Sequence, residues 1–121
     1  MKVKIDTKEK FHVITIEESN LSANMTEDLT TLLLSFIDKV PANAIINFQN
    51  VQQINEHVAQ ALSTTQQTFY ESNCSLVFCC LQPTIETYLD EKELLEVMNI
   101  TPTESEAWDI VQMEEIEREL L

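Results

Sequence analysis

The stretch that decides the fold is residues 44–62, AIINFQNVQQINEHVAQAL. It opens with the apolar run Ala44–Phe48, which predicts a short buried strand. After a polar turn, apolar residues recur every three or four positions from Asn55 to Tyr70, which predicts an amphipathic helix. Asn55 stands where a side-chain oxygen can accept a hydrogen bond from a free backbone N–H group of the first turn. The stretch is therefore expected to form a strand, a turn and a helix capped by Asn55.

Upstream of this stretch lie two strand-like segments and one helical segment. Lys2–Thr7 and Phe11–Ile16 alternate apolar and polar residues and are separated by charged residues, which is typical of a β-hairpin with one covered face. Between Asn24 and Val40 the apolar residues have helical spacing, and acidic residues stand in the first turn, where the helix dipole favours them. We expect this helix to end before Pro41, because the residue preceding a proline disfavours helical backbone angles.

Downstream, Ser75–Leu81 is continuously apolar. Such a run predicts a strand buried on both faces, and we expect it to form the middle of the sheet. Pro83 suits the first turn of a further helix, because that turn does not need its backbone N–H group. Val97–Ile100 is expected to form a short last strand.

The C-terminal segment has the pattern of a capped amphipathic helix. Thr103 is followed three residues later by Glu106, which is a capping-box pair. The residues predicted to form its buried apolar stripe are Ala107, Ile110, Val111, Ile116 and Leu120. The residues predicted to form its acidic solvent face are Glu104, Asp109, Glu114, Glu115, Glu117 and Glu119.

The element order β-β-α-β-α-β-α-β-α predicts an α/β fold. Parallel strands need crossover helices, so the sheet should be mixed and mainly parallel, with four to five strands covered by about four helices. The length of 121 residues suits a single domain spanning residues 1–121.

The formal net charge of −14 is the most unusual feature of the composition. Lys2, Lys4, Lys8 and Lys10 hold four of the seven basic residues, so the remainder is almost purely acidic. An acidic surface repels nucleic-acid phosphates and anionic membranes, and we expect neither as a partner. A protein with a basic surface would be attracted and is the expected kind of partner.

The chain contains no glycine, which excludes the glycine-rich loops that bind nucleotide phosphates. Backbone positions with positive φ are expected to fall to asparagines. The asparagines that lie between periodic segments, and are therefore expected in turns and caps, are Asn20, Asn43, Asn50, Asn73 and Asn99.

Three cysteines are an odd number, and the first residues lack the apolar stretch of a signal peptide. Both features predict a protein of the reducing cytoplasm. Cys79 and Cys80 are adjacent on a predicted strand, so their thiols should point to opposite faces and be inert. No cysteine or histidine pair has metal-ligand spacing, and we expect neither a metal nor a cofactor.

The stretch 44–62 resembles a segment of the STAS family, which includes bacterial anti-sigma-factor antagonists and the cytosolic domains of sulphate transporters. The resemblance implies a STAS-like sheet and helices. In the family an apolar strand and a polar turn lead to Ile-Asp-Ser-Ser-Gly at the start of a helix. Here Ile54 keeps the apolar residue, Asn55 replaces aspartate, Glu56 and His57 replace the serines, and Val58 replaces glycine. The second serine is phosphorylated in family members, so the resemblance implies a degenerate member without a phosphoserine switch.

By this resemblance the chain is expected to be non-enzymatic and to bind an anti-sigma factor or a related regulator with a serine-kinase fold. The residues expected to contact the partner are Asn55, Glu56, His57, Val58, Asn20 and Ser22. Glu56 is a candidate for a fixed charge that replaces the phosphate, although a carboxylate carries about half of the phosphate's charge.

Two other functions stay open at this stage. The chain could be a structural STAS subunit of a larger assembly such as a lipid-transport complex, and it would then be unstable alone. An enzyme using His57 ranks last, because no serine or cysteine near it in the sequence could be the nucleophile. The sequence leaves the oligomeric state open.

Overall fold

A computed structural model describes all residues 1–121. Seven strands, four α-helices and one 3₁₀ turn follow one another along the chain. They are β1 (Val3–Thr7), β2 (His12–Ile16), β3 (Asn20–Leu21), a 3₁₀ turn (Ala23–Met25), α1 (Thr26–Leu34), β4 (Ala44–Asn47), β5 (Gln53–Ile54), α2 (Glu56–Glu71), β6 (Leu76–Cys79), α3 (Pro83–Glu91), β7 (Ile100–Thr101) and α4 (Glu104–Leu120).

Five strands form the main sheet in the order β1-β2-β4-β6-β7. β1 is antiparallel to β2, and every other neighbouring pair is parallel. The expected α/β fold, with a mixed, mainly parallel sheet and four helices, is confirmed. The expectation that the run around β6 forms the middle strand is wrong by one place, because β4 is central. β6 still has a neighbour on each side and is fully buried, which explains its unbroken apolar sequence.

The strand residues alternate between two apolar layers. On one face, residues such as Ile14, Ile46 and Phe78 join the large core cluster beneath α1, α2 and α3. On the other face, residues such as Val13 and Val77 join a smaller cluster, to which α4 is the helix that contributes buried residues. This two-sided burial follows from the period of two along each strand.

α1 ends earlier than expected. It stops at Leu34, not at Val40, and the chain continues through turns in which Phe36 N–H donates to Leu33 O (3.1 Å) and Ile37 N–H to Leu34 O (3.2 Å). These tighter turns bury Phe36 completely while Val40 is 98% exposed. The apolar residues between Leu34 and Val40 still have helical spacing in the sequence, because the repeat of a 3₁₀ turn and that of an α-helix differ little over so few residues.

A second sheet, made of two strands of two residues each, was not anticipated from the sequence. β3 and β5 pair in parallel, with Asn20 opposite Gln53 and Leu21 opposite Ile54. The last strand, β7, is also shorter than expected and starts at Ile100, with Val97 exposed before it. Two-residue strands carry no detectable alternation, so the sequence pattern could not indicate them.

Positive φ angles fall on asparagine at one position only. Asn73 has φ of 60°, as expected, but the others are Cys80 (60°) and Glu93 (59°). Asn43 lies in the connection immediately before β4, and it is buried. The absence of glycine is therefore accommodated by other residue types as well as asparagine.

The positive φ of Cys80 changes the expected placement of the two adjacent cysteines. Cys80 follows the last residue of β6 and packs against the same cluster as Cys79, beneath α4, so the thiols do not point to opposite faces. Burial raises the pKa of the Cys79 thiol, and the neighbouring Cys80 raises it further. Burial also raises the pKa of Cys74, partly opposed by Arg118. Cys80 is the one cysteine with an accessible side chain.

We expect iodoacetamide to alkylate Cys80 in the native chain and to modify Cys74 and Cys79 more slowly by a factor of about ten or more. Buried protonated thiols are poor nucleophiles, because the thiolate is the reacting form. Mass spectrometry of peptides after timed labelling measures the three rates, and labelling in guanidinium provides the control in which all three react. Equal native rates would contradict this burial pattern.

In the second half of α4, the apolar residues that the sequence pattern predicted to be buried face the solvent. Thr103 caps the helix as expected, accepting from Glu106 N–H at 3.2 Å. Ala107 and Val111 are buried, but Ile116 (57% exposed) and Leu120 (81% exposed) are not, so their assignment to the buried stripe is wrong. Their places on the inner side are taken by polar residues, because the sheet offers hydrogen-bond partners at this end.

Those partners form a polar network around the buried Asn43. Its amide nitrogen donates to Lys10 O and to Glu115 Oε1, each at 3.0 Å. Its side-chain oxygen accepts from Ser75 N–H at 2.8 Å and from Arg118 Nη2 at 3.3 Å. The network connects α4 to the starts of β2, β4 and β6.

No helix of the chain combines the length and apolar character needed to cross a membrane.

Candidate functional site

An open cavity of about 460 Å³ lies between the small β3-β5 sheet and the start of α3. It is shallow and mixed in character, with more polar than apolar residues on its walls. Its lining residues are Asn20, Ser22, Gln52, Gln53, Ile54, Asn55, Thr84, Ile85 and Tyr88. Three of the residues expected to contact a partner, Asn20, Ser22 and Asn55, therefore meet here from two separate segments of the chain.

Asn55 caps α2 as the sequence predicts. Its backbone is extended, with φ of −78° and ψ of 150°, and its Oδ1 accepts from His57 N–H at 2.8 Å. Its own N–H group donates to Leu21 O at 2.8 Å, which ties the cap to β3. The cap therefore holds the start of α2 against the cavity wall, and this bond occupies Oδ1 while the amide nitrogen of the side chain makes no bond within the chain.

Asn20 and Ser22 form the opposite rim of the cavity. Asn20 is an exposed residue of β3, paired with Gln53 of β5. Ser22 is half-buried, and its hydroxyl donates to Asn24 Oδ1. The pairing of β3 with β5 ties the loop before α1 to the start of α2.

Glu56 and His57 form the exposed tip of α2. Glu56 Oε2 lies 3.8 Å from Lys92 Nζ, an ion pair open to solvent and therefore weak. The same Lys92 ammonium lies 5.6 Å from the centroid of the Tyr88 ring on the cavity wall. The His57 ring is exposed and makes no hydrogen bond within the chain. Carboxylate, ammonium and imidazole are thus presented beside the cavity.

Val58 does not belong to this surface, contrary to the sequence expectation. Its side chain is 0% exposed and lies in the large core cluster. The first turn of a helix that packs on a sheet must direct one residue inward, and Val58 is that residue. Val58 anchors the tip of α2 in the core, and its buried side chain cannot contact another molecule.

The model of the STAS domain family matches residues 2–107 of the chain. The chain belongs to the STAS family. The matched region contains the small sheet, the cavity and the tip of α2, and it ends inside α4, so most of that helix lies beyond it. No curated protein matches this STAS domain significantly by sequence.

Solved structures share the fold of this STAS domain at low sequence identity. An anti-sigma-factor antagonist (STAS) domain protein from Planctomyces limnophilus has a TM-score of 0.78 and 15% identity, over 91% of this chain and 97% of that chain. An anti-sigma factor antagonist from Mycobacterium paratuberculosis has a TM-score of 0.78 and 12% identity, over 92% and 93%. The Bacillus anti-sigma factor antagonist SpoIIAA, unphosphorylated, has a TM-score of 0.72 and 15% identity, over 92% and 96%.

The sequence did not indicate the part of the STAS domain cavity that α3 provides. Thr84 is exposed, Tyr88 is half-buried and Ile85 forms the floor with 1% exposure. Thr84 Oγ1 donates to Gln52 O at 3.3 Å, which joins α3 to the turn before β5. The available signal was topological: α2 and α3 follow the adjacent parallel strands β4 and β6, so both helices start at the same edge of the sheet.

The polar groups on this STAS domain surface are mainly neutral hydrogen-bonding groups. No group of three or more histidine, cysteine or acidic residues in the structure is arranged to hold a metal ion. The polar groups around the cavity are amides, hydroxyls and one phenol, which donate and accept hydrogen bonds without needing ionisation. Such a mixed, open surface suits contact with another macromolecule.

Proposed function

We propose that this STAS domain is a non-enzymatic, cytoplasmic protein-interaction module, acting as a single domain over residues 1–121, that binds an anti-sigma factor or a related regulator with a serine-kinase fold. The docking surface comprises Asn20, Ser22, Asn55, Glu56 and His57 together with Tyr88. The observation that carries the proposal is the convergence of the first three residues on an open cavity beside the exposed tip of α2.

The hydrogen bonds that hold the segments of this surface together support a role in binding. Asn55 is bonded both to α2 and to β3, and α3 is bonded to the turn before β5. A surface held in this way loses little conformational entropy when a partner docks, so more of the contact energy contributes to affinity. Val58 contributes by anchoring the tip in the core.

The proposed interaction does not depend on a serine phosphate. His57 stands at the position that the family resemblance assigns to the phosphorylated serine, and an imidazole has no hydroxyl for a serine kinase to modify. Glu56 next to it carries a permanent negative charge, partly offset by Lys92. The net charge of −14 favours a partner whose contact surface is basic, and the association should weaken as ionic strength rises.

We expect the double variant Glu56→Lys/His57→Ala to bind the partner more weakly by a factor of about ten or more, because central interface residues carry most of the affinity. The tagged wild-type chain is first used to retain partners from its own organism. A retained regulator of the kinase type is then purified, and its Kd for each variant is measured by isothermal titration calorimetry.

The matched control is Tyr70→Ala/Glu71→Lys, at the other end of the same helix. Both residues are exposed there, so this variant repeats the charge reversal and the loss of a ring at a distant place. It should bind within about twofold of the wild type. If the tip variant also keeps wild-type affinity, the docking surface is misplaced.

A further inference from the structure

The outer side of α4 carries apolar residues that the fold does not use. Met113 is 54% exposed, Ile116 57% and Leu120 81%. We name these three residues the α4 stripe. A helix that covers a sheet normally presents polar residues to solvent, so an apolar row on its outer side needs an explanation.

The spacing of the α4 stripe places its members on one side of the helix. Residues separated by three, four and seven positions lie above one another along a helix, and 113, 116 and 120 have these separations. The side facing the sheet is occupied by Glu115 and Arg118, which are bonded to the network around Asn43. The apolar residues therefore cannot turn inward without breaking this network.

The surroundings of the α4 stripe are acidic. Exposed carboxylates border it on both sides and within its row, namely Glu106, Asp109, Glu117 and Glu119. The one cation of the helix, Arg118, donates inward to Ser75 Oγ at 3.0 Å and is not available at the rim. The surface is thus an apolar row enclosed by negative charge.

We propose that the α4 stripe is a second docking surface, which takes an amphipathic helical segment of a protein partner whose apolar side is flanked by lysine or arginine. Helices with apolar residues at this spacing pack on one another, and basic residues on the partner would face the carboxylates of α4. A second copy of this chain would instead bring carboxylates against carboxylates. An anionic lipid surface would be repelled in the same way.

This surface is separate from the tip of α2. α4 packs on the face of the main sheet opposite to α1, α2 and α3, and the match to the family model ends within its first turn. The two docking surfaces can therefore be tested independently, and each proposal can fail without the other.

The test uses a synthetic amphipathic helix of leucine and lysine as the probe, with binding to the full chain followed by fluorescence anisotropy. We expect the triple variant Met113→Gln/Ile116→Gln/Leu120→Gln to bind it more weakly by a factor of about ten. The matched control, Ile5→Gln/Val40→Gln/Val97→Gln, removes three exposed apolar residues elsewhere and should keep the affinity within about twofold. All six positions are exposed, so both variants should fold, and their circular dichroism verifies this.

Two further measurements complete the test. The same peptide with glutamate in place of lysine should not bind, and the variant Glu56→Lys/His57→Ala should bind the lysine peptide nearly as well as the wild type. The proposal is overturned if the stripe variant binds the lysine peptide as well as the wild type does. It is also overturned if the stripe supports dimerisation in sedimentation equilibrium, or binding of anionic phosphatidylserine vesicles.

Discussion

Replacing Val58 by aspartate is expected to unfold the chain, whereas the same replacement at the preceding residue should leave it folded. Val58 has no exposed surface and lies in the core cluster beneath α2, so the aspartate would be buried without a partner. Such a change costs more than about 4 kcal/mol, which approaches the whole stability of a typical small domain. His57 is exposed, and an acidic residue in the first turn is favoured by the helix dipole.

Urea unfolding followed by circular dichroism measures both variants. We expect His57→Asp to unfold within about 0.5 kcal/mol of the wild type. Val58→Asp should lack the cooperative transition or be recovered unfolded. A stable, cooperatively folding Val58→Asp chain would mean that the first turn of α2 is not packed in the core, and the description of the docking surface would have to change.

Replacing Asn43 by alanine is expected to lower the free energy of unfolding by about 3 kcal/mol, because four hydrogen bonds are lost and buried partners are left unpaired. The most costly of these is Ser75 N–H, since Ser75 is 1% exposed and its bond to Asn43 Oδ1 measures 2.8 Å. Arg118 and Glu115 would also lose a partner, which should loosen the second half of α4.

Asn50→Ala is the matched control for this variant. Asn50 is exposed in the turn after β4, so the same chemical change should shift the stability by less than about 0.5 kcal/mol. Guanidinium unfolding of both variants gives the two free energies. Equal losses would contradict the role of Asn43 as the centre of the network.

The sequence predicted best those features that depend on neighbouring residues. Asn55 and Thr103 both cap helices because the acceptor and the N–H group lie within three residues of each other. The pairing of β1 with β2 and the burial of β6 follow from strand patterns of the same local kind. The expectation of one covered face is wrong, because β2 is buried on both faces as an inner strand and the edge strand β1 is almost entirely exposed. Together with the order of the elements, which restricts the topology strongly, these features predicted the mixed α/β architecture, and the family resemblance implied that it is STAS-like.

Features that depend on distant contacts were missed. Ile116 and Leu120 fit the spacing of a buried stripe, yet Asn43, Ser75 and Lys10 draw Glu115 and Arg118 inward instead. That choice is made by residues up to 75 positions away, such as Asn43 and Arg118, which no local pattern contains.

The candidate site was predicted only in part, because some of its residues are brought together by contacts between distant parts of the chain. The tip of α2 could be located from its cap, and the loop containing Asn20 and Ser22 came from the family resemblance. The contribution of Tyr88 and Thr84 required the pairing of β3 with β5 and the position of α3, which are tertiary features. Val58 was assigned to the surface from its position in the family motif, although its helical spacing with Leu62 and Phe69 already placed it on the apolar face of α2.

Hydrogen–deuterium exchange of the chain, alone and bound to its purified partner, tests the central claim most directly. If the surface beside the cavity is the docking site, exchange should slow in residues 20–24, in residues 52–57 and at the start of α3, with the far end of α2 unchanged. Unchanged exchange in these segments together with slower exchange elsewhere in the bound chain would contradict the account.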